Sequence, residues 1–146
     1  MFMYWLLALL MGGLLLGGLS PEQRAVNQAG QLQDQTLILQ ATQMVRYMNR
    51  INDWLYQNPG IGDMSISDSQ LTGWKSIAGL NNVIYGGRTF VWRNGQPGLM
   101  AALLTQTHQS ALVGHVTSRR LFDNSGLDMQ LTVPSVIPDG SVVWVN

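Results

Sequence analysis

Hydrophobic positions divide the chain into three stretches. Met1 to Leu19 carries no charged side chain, and Tyr4 to Leu16 is almost wholly apolar. At helical rise this run spans roughly 28 Å, close to the thickness of bilayer hydrocarbon. Tyr4 and Trp5 near one end suit an interfacial aromatic belt, and Pro21 and Glu22 end the run. The pattern predicts a transmembrane anchor over residues 1–20. A cleaved signal peptide would need a basic start and a small-residue cleavage site. No Lys or Arg precedes Arg24, and Pro21 directly follows Gly18-Leu19-Ser20, so an uncleaved anchor is expected. Gly13 with Gly17, and Ala8 with Gly12, are small residues four apart. Such pairs let two membrane helices approach closely, which would make a homo-oligomer through the anchor; glycine is also simply common in membrane helices. Orientation is not written in the charges, because Arg24 is the only base near either end of the run.

The second stretch, residues 21–57, contains no proline after Pro21 and only one glycine, Gly30. Pro21 suits a first helical turn and Pro59-Gly60 supplies a stop. A continuous helix of this length reaches roughly 54 Å. Its first half is rich in uncharged polar residues (Gln23, Asn27, Gln28, Gln31, Gln33 and Gln35) and offers little to bury. From Leu37 onward, Leu37, Ala41, Met44, Met48, Ile51 and Leu55 recur at 4-3-4-3-4 spacing, which places them on one stripe. Arg46, Arg50 and Asp53 lie off that seam. The stripe spans too few heptads for a coiled coil, and Gly30 and Asp34 occupy the preceding seam positions. It is expected to pack on the chain's own sheet.

The third stretch, residues 58–146, reads as a small α+β head. Pro59-Gly60-Ile61-Gly62-Asp63 is a cluster of turn residues. Ser67 and Gln70 have capping-box spacing and predict a short helix running through Trp74 to Ala78. Gly86-Gly87 between Val83-Ile84-Tyr85 and Thr89-Phe90-Val91-Trp92 signals a hairpin. Leu99, Met100, Leu103, Leu104 and Thr107 mark a second helix of about three turns. One strand is expected within Ala111–Phe122, another over Met129–Val133, and Ser141–Val145 reads as a strand buried on both faces. The predicted fold class is therefore α+β: a transmembrane helix continuing into an amphipathic helix, then a small antiparallel sheet with one or two short helices, a pilin-like outline.

Composition narrows the function. Eight Lys+Arg balance eight Asp+Glu, and charged residues are 11% of the chain, against about a quarter in typical proteins. This argues against nucleic acid, whose phosphates call for a basic footprint. With no cysteine there is no disulfide, thiol nucleophile or thiolate metal site. The two histidines, His108 and His115, lack metal-ligand spacing. Ser110, Ser118, Asp123 and Asp128 would complete a hydrolase set only if the fold gathered them. Gly86-Gly87-Arg88 lacks the phosphate-loop pattern. No catalytic, cofactor-binding or metal residue is assigned, and no cofactor is expected. Trp54, Tyr56 and Trp74 are candidate partner contacts, since aromatic side chains carry binding energy when buried between proteins. Trp92 is a further candidate; each is also a normal core residue, and core is the expected place for most of them.

Three segments carry a resemblance: Trp5-Leu6-Leu7-Ala8-Leu9-Leu10, Tyr47-Met48-Asn49-Arg50-Ile51-Asn52-Asp53-Trp54-Leu55, and Ile137-Pro138-Asp139-Gly140-Ser141-Val142-Val143. In these, and over essentially its whole length, the chain resembles the small PilM proteins of type IVB thin-pilus systems on conjugative plasmids. It departs from a processed prepilin, which has a basic leader, a cleavage-site glycine and an early glutamate; here Glu22 follows the apolar run. It is too short for the unrelated actin-like protein that shares the name. The resemblance implies a single-pass protein of the bacterial inner membrane with its head in the periplasm. It would be a non-enzymatic part of the pilus basal body or pilin-export apparatus, with other pilus-assembly proteins, and pilin itself, as partners. The alternatives are a pilin-like minor subunit within the fibre and a membrane-tethered hydrolase using His108 or His115.

Overall fold

A computed structural model describes residues 20–146 of the chain. The apolar run predicted as an anchor, with Ala8, Gly12, Gly13 and Gly17, lies outside the described residues. Among the described residues no helix is long and apolar enough to cross a membrane. The chain divides into two units, with the boundary between Gln35 and Thr36.

Helix α1 runs from Pro21 to Gln57. Ser20 caps it: Gln23 N–H donates to Ser20 Oγ, and Ser20 N–H donates to Gln23 Oε1, each at 3.3 Å. This reciprocal box satisfies two backbone donors that a helix start leaves unpaired, and Pro21 at the first position has no N–H to satisfy. At the far end Asn58 donates its backbone N–H and its side-chain Nδ2 to Trp54 O, at 3.0 and 2.8 Å, before Gly60 takes a left-handed φ of 78°.

In the second unit six strands form one antiparallel sheet: β1 (Asn81–Tyr85), β2 (Arg88–Asn94), β3 (Val113–Thr117), β4 (Arg120–Phe122), β5 (Asp128–Thr132) and β6 (Ser141–Val145). Their spatial order is β1-β2-β6-β3-β4-β5. Helix α2 (Leu99–Gln106) links β2 to β3. β6 enters the middle of the sheet, pairing Val143 with Trp92 on one side and with Gly114 on the other. Gly114 has no room for a side chain there: a Cβ would sit 2.7 Å from Leu121 Cγ and Phe122 O.

The alternation of strand side chains builds two cores. One face of the sheet contributes Ile84, Val91, Val113 and Val142, which pack with the α1 stripe and with Leu99 and Leu103 of α2. The other contributes Phe90, Trp92, Val116, Val143 and Val145, covered by Val133 and Ile137 from the β5–β6 connection. The predicted stripe is the main helical component of the first core. Ala41, Met44, Met48 and Ile51 are completely buried, Leu37 nearly so, and Leu55 half-buried.

Three expectations need correction. The helix predicted over residues 68–78 is a single 3₁₀ turn, Asp68–Gln70. The box forms, with Ser67 N–H donating to Gln70 Oε1 at 2.9 Å. Gly73 then turns left-handed at φ 73° and ends any continuation. The one strand expected within Ala111–Phe122 is a hairpin, β3 and β4, turned by Ser118 and Arg119 at φ 49° and 61°. Neither residue is the glycine or asparagine such turns favour, so the sequence does not announce it. Helix α2 is about two turns long rather than three, and His108 and Gln109 follow it at positive φ.

Candidate functional site

The aromatic candidates converge on one region. Along the last three turns of α1, the face turned away from the sheet carries Arg46, Asn49, Arg50 and Asp53, all exposed. The segment Leu71–Trp74 runs beside it. Together they line two adjoining cavities that share Arg50 and Asp53, of about 410 Å³ and about 600 Å³. Trp54 and Tyr56 line the first, and Trp74 lines the second. Tyr56 is 89% exposed, the most open of the large hydrophobic side chains among the described residues, whereas Trp54 and Trp74 are half-buried against the core. Trp92 is a core residue at 6% exposure and takes no part.

A buried polar cluster fixes the cleft's second wall. Tyr47, on α1, is 2% exposed and stacks on Trp74 with ring centroids 5.1 Å apart. Its hydroxyl donates to Asp68 Oδ1 at 3.0 Å and accepts from Asn82 Nδ2 at 2.6 Å. Asn82, from β1, also donates to Ile66 O at 2.8 Å and accepts from Ile66 N–H at 2.9 Å. Every polar atom of the Asn82 side chain is therefore engaged, as a buried amide requires. Burial pushes the Tyr47 hydroxyl up to about 12; the Asn82 bond opposes that shift and Asp68 adds to it. The segment carrying Trp74 is thus tied to both helix and sheet. The Trp74 indole nitrogen is buried and has no hydrogen-bond partner among the described residues. Sequence reading missed Tyr47 and Asn82. Tyr47 falls within a helical turn of the stripe, but a strand asparagine gives no sign of what it will bond.

The remaining candidates are gathered only in part: Ser110 and Asp123 line one cavity, in which neither imidazole takes part, and Ser110 Oγ accepts from Leu112 N–H at 3.2 Å. His108 lies just beyond α2, exposed, while His115 lies in β3 with its ring stacked on Phe122 at 5.9 Å. Asp123 accepts hydrogen bonds from Leu127 N–H, Ser125 Oγ and Ser125 N–H. These bonds, the Leu127 one foremost, hold its carboxyl below the usual range. Asp128 pairs with Arg120 at 2.7 Å. The hydrogen bonds and ion pair of both acids go to groups other than the imidazoles, and Ser118 sits in the β3–β4 turn. Among the described residues no cluster of three His, Cys, Asp or Glu could hold a metal ion. Gly86 and Gly87 form the β1–β2 turn at φ 58° and 76°, and Gly86 N–H donates to Asp63 Oδ1 at 2.9 Å. A carboxylate occupies the amide that a phosphate would need.

Comparison with known proteins supplies the family. The PilM family model matches residues 11–145. The chain belongs to the PilM family. That membership gives it a pilus-related context. A crystal structure of a PilM protein from Escherichia coli B7A is 40% identical, with 78% of this chain and 94% of that one covered and a TM-score of 0.67. A second, from Pseudomonas aeruginosa 2192, is 27% identical over 73% of this chain and 90% of that one, with a TM-score of 0.44. No curated protein matches.

Proposed function

We propose that the chain is a non-enzymatic assembly component of a type IVB thin-pilus apparatus. Residues 1–20 hold it in the bacterial inner membrane, and the head works in the periplasm by docking other pilus-assembly proteins or pilin. Family membership supports the pilus context, and the uncharged run Met1–Leu19 supports the anchor. One observation carries the docking role: Tyr56, an aromatic side chain 89% exposed, borders a cleft walled by Trp54 and Trp74 and lined by exposed arginines. Buried aromatics and arginines are the residues from which protein interfaces draw most of their energy. A photo-crosslinking residue in place of Tyr56, in piliated cells, should capture a pilus-assembly protein in the inner-membrane fraction. No captured protein, or a head recovered free of membrane, sinks the proposal.

One feature favours a second reading, that of a minor subunit within the fibre: a long helix packed along an antiparallel sheet is the outline of a pilin. Recovery of the chain in sheared pili would support it.

A further inference from the structure

We propose that the cleft between α1 and Leu71–Trp74 takes an extended acidic segment of a partner protein, with partner carboxylates held by Arg46 and Arg50. This rests on the docking role above and names the chemistry that the cleft selects.

Arg46 and Arg50 are four residues apart on one helix and therefore project side by side. Both are exposed, and neither side chain has an ion pair or hydrogen bond among the described residues. Like charges at that spacing weaken a helix slightly, so the pair gives the fold nothing in return. Of the other cations, Arg120 pairs with Asp128 and Arg93 donates to Gln43 Oε1 at 3.3 Å, while Arg24, Lys75, Arg88 and Arg119 are exposed side chains. What sets Arg46 and Arg50 apart is that they lie side by side in a cleft with aromatic walls. Two neighbouring guanidinium groups offer forked donors that match carboxylates, and charge-assisted bonds of that kind are the strong ones.

The shape selects a peptide over a compact anion. The two cavities adjoin through Arg50 and Asp53, so the cleft is elongated, with Tyr56 and Trp54 lining one part and Trp74 the other. An extended segment can set apolar side chains against these rings while its acids meet the arginines. Asp53, three residues beyond Arg50 and common to both cavities, is exposed and unpaired among the described residues. It can accept a backbone N–H from a peptide bound along the cleft, while the partner's acids lie toward Arg46 and Arg50.

The test uses the full chain in cells, with a photo-crosslinking residue in place of Tyr56 and the captured peptide sequenced. The expected peptide carries two or more Asp or Glu near the crosslink. Arg46→Glu with Arg50→Glu should lower crosslink yield by at least about tenfold, the factor that 1.4 kcal/mol represents. Changing the captured acids to Lys should restore yield in that double variant and in no other. Circular-dichroism melting serves as the folding control, and an unchanged transition is expected because both side chains are exposed. Capture of a neutral or basic segment, of a second copy through such a segment, or of lipid overturns the proposal. So does undiminished yield in the double variant. Those results would leave the docking role standing, whereas no crosslink from Tyr56 removes the docking role itself.

Discussion

Helix α1 is one continuous element held in two different ways. Residues 20–35 are exposed throughout, so their helicity rests on the Ser20–Gln23 cap and on propensity. Residues 37–55 include the whole stripe, and there helicity rests on burial against the sheet. A helix whose core-facing positions are Leu, Ala, Met and Ile is fixed by what covers it; one rich in Gln is fixed residue by residue. The difference is a difference in cooperativity. Loss of one contact in the second half weakens the whole head, while a change in the first half stays local.

Met48→Asp should therefore have the largest effect. Met48 is 0% exposed, and an unpaired charge there would cost on the order of 3–5 kcal/mol, enough to unfold a small domain. Loss of the cooperative thermal transition checks this, and an unchanged melting temperature would mean the stripe is not core. Asn82→Leu should come next. It strands the Ile66 amide and carbonyl and removes a donor to the Tyr47 hydroxyl, at a cost of about 2 kcal/mol, measurable in urea titration.

Alkaline pH sharpens the same contrast. Tyr47 is harder to ionise in the folded head, at about 12, than at its ordinary 10. The stability this represents is fully present below pH 10 and is lost as pH rises toward 12, by about 2–3 kcal/mol in total. Melting followed from pH 9 to 12 should show the decline, and Tyr47→Phe should show less of it. The smallest effect belongs to the first half. Val26, 70% exposed, changed to Ser should shift stability by less than about 0.5 kcal/mol. A shift comparable with that of Asn82→Leu would show that the first half is not held locally.

The legible parts of the fold are those whose cause is periodic. Leu37 to Leu55 declared itself by spacing, and Gly86-Gly87 by the positive φ that a tight turn demands. The β3–β4 turn was illegible because Ser118 and Arg119 adopt left-handed φ without the residue types that normally mark it. Asp68–Gln70 looked like the start of a helix because the box chemistry was right; Gly73, three residues on, decided the outcome. Within the cleft, Trp54, Tyr56 and Trp74 stood out by residue type alone. The geometry that joins them depends on Tyr47 and Asn82, which lie 35 positions apart and meet only through folding.

The sheet's two outermost strands are both poor templates. Along β1, Met64 and Ile84 exchange backbone bonds at 3.0 and 2.7 Å, and the Asn82 amide imitates a neighbouring strand toward Ile66. At the opposite border β5 has register-breaking extra residues, with Gln130 at φ 56°. A newcomer finds few free, aligned amides on either flank. Lateral growth by adding strands from one copy to the sheet of another is therefore blocked at both flanks.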